Sequence, residues 1–258
     1  MPTAQIAFKL AALLYLVVIP LPFLTSNRKI LICGLLPGVC FNAMAIFLRY
    51  ELAWPMVPMY ISPVMFPFFL GLLSMCVALN KKDDQSLTAL KVCLVLLGIF
   101  SLSAVLFPKD FYMPYWKFNS LFAHAFMAMG ALGKGFFIVS SAYAVAALVK
   151  HRGNQRAELY GADIAGSFFW GATGYAVWTV SMFCGEMWSY LGWGTPVVWD
   201  DAAILTTMAT WFFYTCFLHL HLTGTWSVRA RAWYAAAGAP MIYIFNAIPD
   251  FGPYRALF

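Results

Sequence analysis

Apolar residues run along this chain in long stretches interrupted by short polar breaks. Splitting the chain at those breaks gives eight apolar runs, at roughly 6–24, 30–50, 57–79, 87–107, 119–149, 162–186, 202–223 and 232–248. Crossing a hydrocarbon core about 30 Å thick takes about 20 residues of helix, and a helix satisfies its own backbone polar groups without water. The pattern therefore predicts an all-α integral membrane protein, a bundle of about eight transmembrane helices. The runs fill the whole length and leave no room for a separate soluble domain, so residues 1–258 are expected to form a single polytopic membrane domain. Residues 1–118 supply four N-terminal helices, and 119–248 hold the segments with chemical character. The first run lacks an A-x-A-like cleavage site and leads into Thr25-Ser-Asn-Arg28-Lys29, so it is expected to be a membrane helix rather than a removable leader.

The polar breaks also carry orientation. Basic residues collect in alternate connections: Arg28-Lys29, Lys81-Lys82, Lys150 with Arg152 and Arg156, and Arg229 with Arg231. These four loops are expected on the cytoplasmic side. The connections beginning at Glu51, Pro108 and Trp188 then face outward, as do both termini, and the protein belongs in the inner (cytoplasmic) membrane.

Composition agrees with this picture. The 258 residues are 63% hydrophobic and only 10% charged, with a mean hydropathy of +0.77, values outside the range of soluble domains. The net charge of +6 is distributed as loop signals rather than as a patch, which excludes nucleic acid as a partner. The six cysteines (Cys33, Cys40, Cys76, Cys93, Cys184 and Cys216) form no C-x-x-C pair and are expected to be small buried apolar residues. Without a C-x-x-C-H, any haem would be held non-covalently.

Against this background one segment stands out, Trp188-Ser-Tyr-Leu-Gly-Trp193-Gly-Thr-Pro-Val-Val-Trp199-Asp200-Asp201. Three indoles, a glycine and two carboxylates occupy one connection between apolar runs. Indole faces can lie against a planar cofactor while carboxylates hold its wet edge; the alternative is an aromatic belt at headgroup depth. Four histidines exist. His151 sits among the basic residues of a loop. His124 lies on the same side as the tryptophan segment, either as an axial haem ligand or as a satisfied interfacial side chain. His219 and His221 are two apart near the inner end of the seventh run and so lie on different faces, with His219 the expected inner-site residue and His221 nearer water. Lys134 falls midway along the fifth run, where a charge costs about 3 kcal/mol or more on insertion scales. It is either paired with a carboxylate such as Asp163 or Glu186, directed at a haem propionate or quinone oxygen, or satisfied by snorkelling or by a helix-end carbonyl. Glu186 is placed to join Asp200 and Asp201 in a polar cluster. The chain has no glycine-rich phosphate loop, no H-E-x-x-H and no nucleophile elbow.

The tryptophan segment resembles the "WWD" haem-handling segment of the CcsA/CcmC cytochrome c assembly family, W-x-x-x-x-W-G-x-x-W-x-W-D, with Trp188, Trp193, Gly194, Trp199 and Asp200 in register. The next run, with Trp211, Leu218-His219-Leu220 and the basic stretch to Trp233, continues the likeness, and His124 stands where such proteins place an outer-face histidine. The resemblance implies a protein that holds haem b at the outer membrane face for apocytochrome c. His124 would then be an axial ligand, Trp188, Trp193, Trp199 and Asp200 the platform, and His219 an intramembrane histidine. Lys134, Glu186 and Asp201 remain polar or quinone contacts. Several features depart from the pattern: Val197 replaces its middle tryptophan, Asp-Ala-Ala-Ile follows Asp200, no histidine follows the eighth run, and none occurs in the first four. A second axial ligand would be a methionine, a tyrosine, a partner subunit or water.

Two functions are consistent with this set. In the first, the chain works in cytochrome c biogenesis, as part of a haem attachment machinery, with haem b bound or absent at rest. In the second, it is a CcsA-like membrane subunit, without catalysis of its own, that anchors a multihaem c-type cytochrome in a respiratory complex and binds quinol. Membrane lipid and other membrane subunits are expected partners in either.

Overall fold

The computed structural model describes residues 2–79, 84–109, 119–151, 157–199, 201–223 and 225–250. The helices are α1 (Pro2–Val18), α2 (Leu21–Leu24), α3 (Arg28–Ala53), α4 (Ser62–Leu79), α5 (Asp84–Leu106), α6 (Leu121–Lys150), α7 (Ala157–Trp193), α8 (Ala202–Thr223) and α9 (Val228–Ile242). A π turn (Tyr243–Ala247) and a 3-10 turn (Ile248–Asp250) continue α9. No strand occurs among the described residues. Each apolar run coincides with helix, the first as α1 and α2 separated at Ile19-Pro20, where proline removes a backbone donor.

Six helical segments are long and apolar enough to cross a membrane: Thr3–Leu24, Arg28–Ala53, Ser62–Leu79, Asp84–Leu106, Leu121–Lys150 and Ala203–Thr223. The chain is an integral membrane protein. Of the remaining two, α9 has only 15 residues before its turn widens, and α7 mixes Gly, Ser and Thr into its 37 residues.

Successive long helices run antiparallel. At one end of the bundle Arg28 Nη1 donates to the Leu79 carbonyl at 2.9 Å, joining the start of α3 to the end of α4. At the other end His124 Nε2 lies 3.0 Å from the Pro55 carbonyl oxygen, and Lys134 Nζ donates to Ser62 Oγ at 3.2 Å. The start of α6 is thereby tied to the α3–α4 connection. The start of α8 and the turns after α9 lie at this second end too, so the chemical features gather there.

Small residues set the closest packing, between α6 and α7. A Cβ on Gly133 would stand 3.3 Å from the backbone nitrogen of Trp178, and one on Gly174 would stand 2.8 Å from the Phe137 ring. Such approach replaces the hydrophobic driving force that lipid cannot supply between helices. Hydroxyls add interhelical bonds: Ser140 Oγ donates to the Ser167 carbonyl at 2.7 Å, and Ser141 Oγ to the Ala235 carbonyl at 2.8 Å.

The end of α9 departs from regular helix for a local reason. Pro240 sits inside α9, where it supplies no N–H, and the Tyr243 N–H is shared between the Ala239 and Pro240 carbonyls. The widened turn that follows presents Asn246, whose Nδ2 donates to Thr210 Oγ1 at 2.8 Å, and Tyr243, whose hydroxyl lies 2.9 Å from Ser103 Oγ.

It also delivers Asp250 to Lys134, Oδ2 to Nζ at 4.0 Å. This corrects the expected partner of Lys134, which is neither Asp163 nor Glu186: the partner comes from the far end of the sequence because the π turn carries the chain back over α6. Two other expectations change. Only Cys93 is buried, while Cys33, Cys40, Cys76 and Cys216 are exposed. The tryptophan connection is shorter than expected, since α7 continues to Trp193 and places Trp188 and Trp193 on helix.

Candidate functional site

The last turns of α7 project aromatic side chains because the helix runs past its apolar stretch before a single residue stops it. Gly194 adopts φ +75°, and its N–H donates to the Tyr190 carbonyl at 2.9 Å. This left-handed cap costs little only for glycine. It turns the chain immediately after Trp193. Ser189 Oγ donates to the Thr195 carbonyl at 2.8 Å and pins the loop back onto the helix. The connection ends at Asp201, which caps α8: Oδ1 accepts from the Ala203 N–H at 2.8 Å. Replacing Asp201 with alanine is expected to destabilise the protein by about 1 kcal/mol while serine retains most of the stability; thermal unfolding in detergent measures this.

Between the start of α6, the end of α7, this loop and the start of α8 lies a cavity of about 260 Å³. Its aromatic wall is Phe126, Trp188 and Trp193, and its thioethers are Met127, Met182 and Met208. Trp188 packs on Phe126 at 5.8 Å and meets Trp193 edge to face, centroids 5.4 Å apart and planes at 77°. The two indoles therefore form a corner rather than a flat stack. Glu186 and Asp201 are the carboxylate-bearing residues of the lining. Such a chamber suits a flat apolar group with a polar margin, and its sulfur atoms are soft ligands for iron.

The structure brings Trp188, Trp193, Glu186 and Asp201 together and leaves the other expected residues elsewhere. Trp199 is 64% exposed and does not line the cavity, and Asp200 lies outside the described residues. His124 occupies the rim. It is three residues before the cavity residue Met127 on α6, hence a neighbour on the helix surface, but its ring faces the α3–α4 connection. There Nδ1 lies 3.4 Å from the Tyr50 hydroxyl, Nε2 meets the Pro55 carbonyl, and the ring stacks on Tyr50 at 5.6 Å. His219 and His221 exchange their expected places. The His219 ring is exposed, with Nδ1 3.0 Å or less from the Thr215 carbonyl, at 2.8 Å. His221 packs against Phe168 at 4.8 Å and Phe217 at 4.5 Å. Helical phase separates two residues at this spacing, and the face turned to α7 belongs to His221. Among the described residues, no group of three His, Cys, Asp or Glu side chains could hold a bare metal ion.

The methionines of the cavity were not legible as site residues. Each lies in an apolar run, where thioethers read as packing. The usable signal was spacing, since Met127 follows His124 by three and Met182 precedes Glu186 by four, one helix face in each case.

Comparison with known proteins bears on the whole chain. The cytochrome C assembly protein family matches residues 8–246. Among curated relatives, the "Cytochrome c biogenesis protein CcsA" of Guillardia theta is 28% identical over 71 residues, 28% of this chain and 23% of that protein. The protein of the same name from Gloeobacter violaceus is 31% identical over 71 residues, 28% of this chain and 21% of that protein. The aligned stretch thus spans less than a quarter of the length of these curated relatives. No solved structure matches. A membrane helical bundle whose match extends over nearly its entire length belongs to the cytochrome c assembly protein family.

Proposed function

We propose that the chain handles haem b in cytochrome c biogenesis, holding the macrocycle in the cavity under the tryptophan loop on the outer face of the inner membrane, with eight spans and both termini outward. The observation that carries this reading is the cavity itself, where two indoles, a phenylalanine and three thioethers converge beside two carboxylate-bearing residues. The lining fits the apolar faces of a porphyrin, and methionine sulfur fits its iron. Bound haem would supply vinyl groups that accept the thiols of apocytochrome c. Trp188 and Trp193 hold and orient the ring, the loop from Gly194 to Asp201 limits access of water, and Glu186 keeps negative charge at the margin, directing the propionates toward solvent. His124 would reach iron by exchanging its bonds to Tyr50 and Pro55.

One observation favours the second reading, a resident subunit that anchors a multihaem c-type cytochrome and binds quinol. No histidine lines the cavity among the described residues, and its volume lies below the usual range of small-molecule sites, about 300–1,000 Å³. Deletion of the gene, with complementation, separates the two. Haem handling requires loss of c-type cytochromes in the deletion strain, their restoration by the wild-type chain, and about tenfold less haem b purified with His124→Ala, the effect of losing one ligand contact worth about 1.4 kcal/mol. Intact maturation, with the chain purifying in fixed ratio to a multihaem cytochrome, establishes the anchor role instead.

A further inference from the structure

A second cavity, of about 130 Å³, opens at the same end of the bundle but in its N-terminal half, among the start of α1, the end of α3, the start of α4 and the end of α5. Its lining includes Lys9, Arg49 and Lys109, with Gln5 and Tyr60 between them and Phe8 and Val64 on the apolar side. No carboxylate-bearing residue lines it among the described residues. Gln5 and Lys9 lie four apart on α1 and share a face.

The placement of the cations is built rather than incidental. Arg49 is only 5% exposed, a rare state for a guanidinium in the apolar part of a membrane protein and one that marks function more often than packing. Tyr60 adopts φ +55°, a backbone conformation that costs a non-glycine residue of order 1 kcal/mol or more and persists where its surroundings require it. In that conformation its carbonyl accepts from Arg49 Nη1 at 3.4 Å, and its ring lies under Lys109, Nζ 4.2 Å from the centroid. One strained residue thus orients two of the three cations toward a common space. Three positive side chains around a chamber whose remaining wall is apolar match an amphipathic anion, with a phosphate among the cations and a hydrocarbon tail along Phe8 and Val64.

We propose that this N-terminal cavity is a phosphate site for an anionic phospholipid headgroup, separate from the tryptophan cavity and independent of whether that cavity takes haem. Arg49 supplies the planar fork that suits two phosphate oxygens, while Lys9 and Lys109 close the site from α1 and α5. Because these elements meet only there, headgroup binding clamps the N-terminal helices together.

The test uses the full chain in nanodiscs of phosphatidylcholine with one-fifth phosphatidylglycerol, extracted into detergent, with retained lipid measured by native mass spectrometry. Wild type is expected to retain phosphatidylglycerol selectively. The Lys9→Gln/Lys109→Gln variant, altered at side chains that burial does not require for folding, is expected to lose about tenfold or more of that selectivity, the effect of removing two charge-assisted contacts, at an unchanged unfolding profile. A second arm adds inorganic phosphate to delipidated protein: stabilisation at millimolar phosphate that the variant lacks also supports the phosphate site, with the free ion as its ligand. Equal phosphatidylglycerol retention by wild type and variant, or no selectivity for phosphatidylglycerol together with no effect of phosphate, overturns the proposal.

Discussion

Changing Trp188 and Trp193 together to alanine should reduce haem b retention by at least about thirtyfold, whereas Trp199→Ala should change it by less than about threefold. The expectation rests on where each indole sits. Trp188 and Trp193 line the cavity, and each covers enough apolar surface on a bound ring to contribute about 2 kcal/mol, with tenfold in affinity for each 1.4 kcal/mol. They touch each other, so the double change should fall short of the sum of the singles. Trp199 belongs to the same sequence motif but is exposed and away from the cavity. Haem content of the purified variants, read from the pyridine haemochrome spectrum and normalised to protein, measures the difference. Equal loss for all three tryptophans would show that the motif acts as an interfacial belt instead of a pocket wall.

The second large effect is on stability. Lys134 and Asp250 join the middle of α6 to the last turn after α9. Removing one partner of a buried ion pair strands the other charge, at a cost of 3–5 kcal/mol when burial is complete. Here Asp250 is about a quarter exposed and the separation is 4.0 Å, so Asp250→Ala should cost about 1–3 kcal/mol and lower the unfolding temperature in detergent by several degrees. The Lys134→Met/Asp250→Ala double variant should recover most of that loss, because an apolar pair needs no compensation in this position. If the double variant is as unstable as Asp250→Ala alone, Lys134 is held by something other than this carboxylate.

The helices were legible in the sequence because hydropathy alone dictates them: a stretch that cannot leave backbone groups unpaired in lipid has only helix available. The contacts between helices were not. Lys134 could be recognised as needing a partner, yet its partner follows from the widened turn after Pro240, and no pattern of apolar residues encodes that turn. Trp188 and Trp193 were legible as a pair through their motif, but Gly194 determines that they end a helix rather than occupy a loop. His219 and His221 show the limit most clearly. Their spacing says that they face different ways and nothing about which way is inward; packing against Phe168 and Phe217 decides for His221.

The most direct test of the central claim is to fill the cavity from α8. Ala203 lines it and is exposed, so Ala203→Trp should place an indole in the chamber without disturbing the core. Titrating haem b into purified wild type is expected to give a saturable Soret shift at about one equivalent, and the same titration of Ala203→Trp should give none at an unchanged unfolding temperature. A saturable shift of equal size in both proteins would contradict the assignment of haem to the space beneath the tryptophan loop.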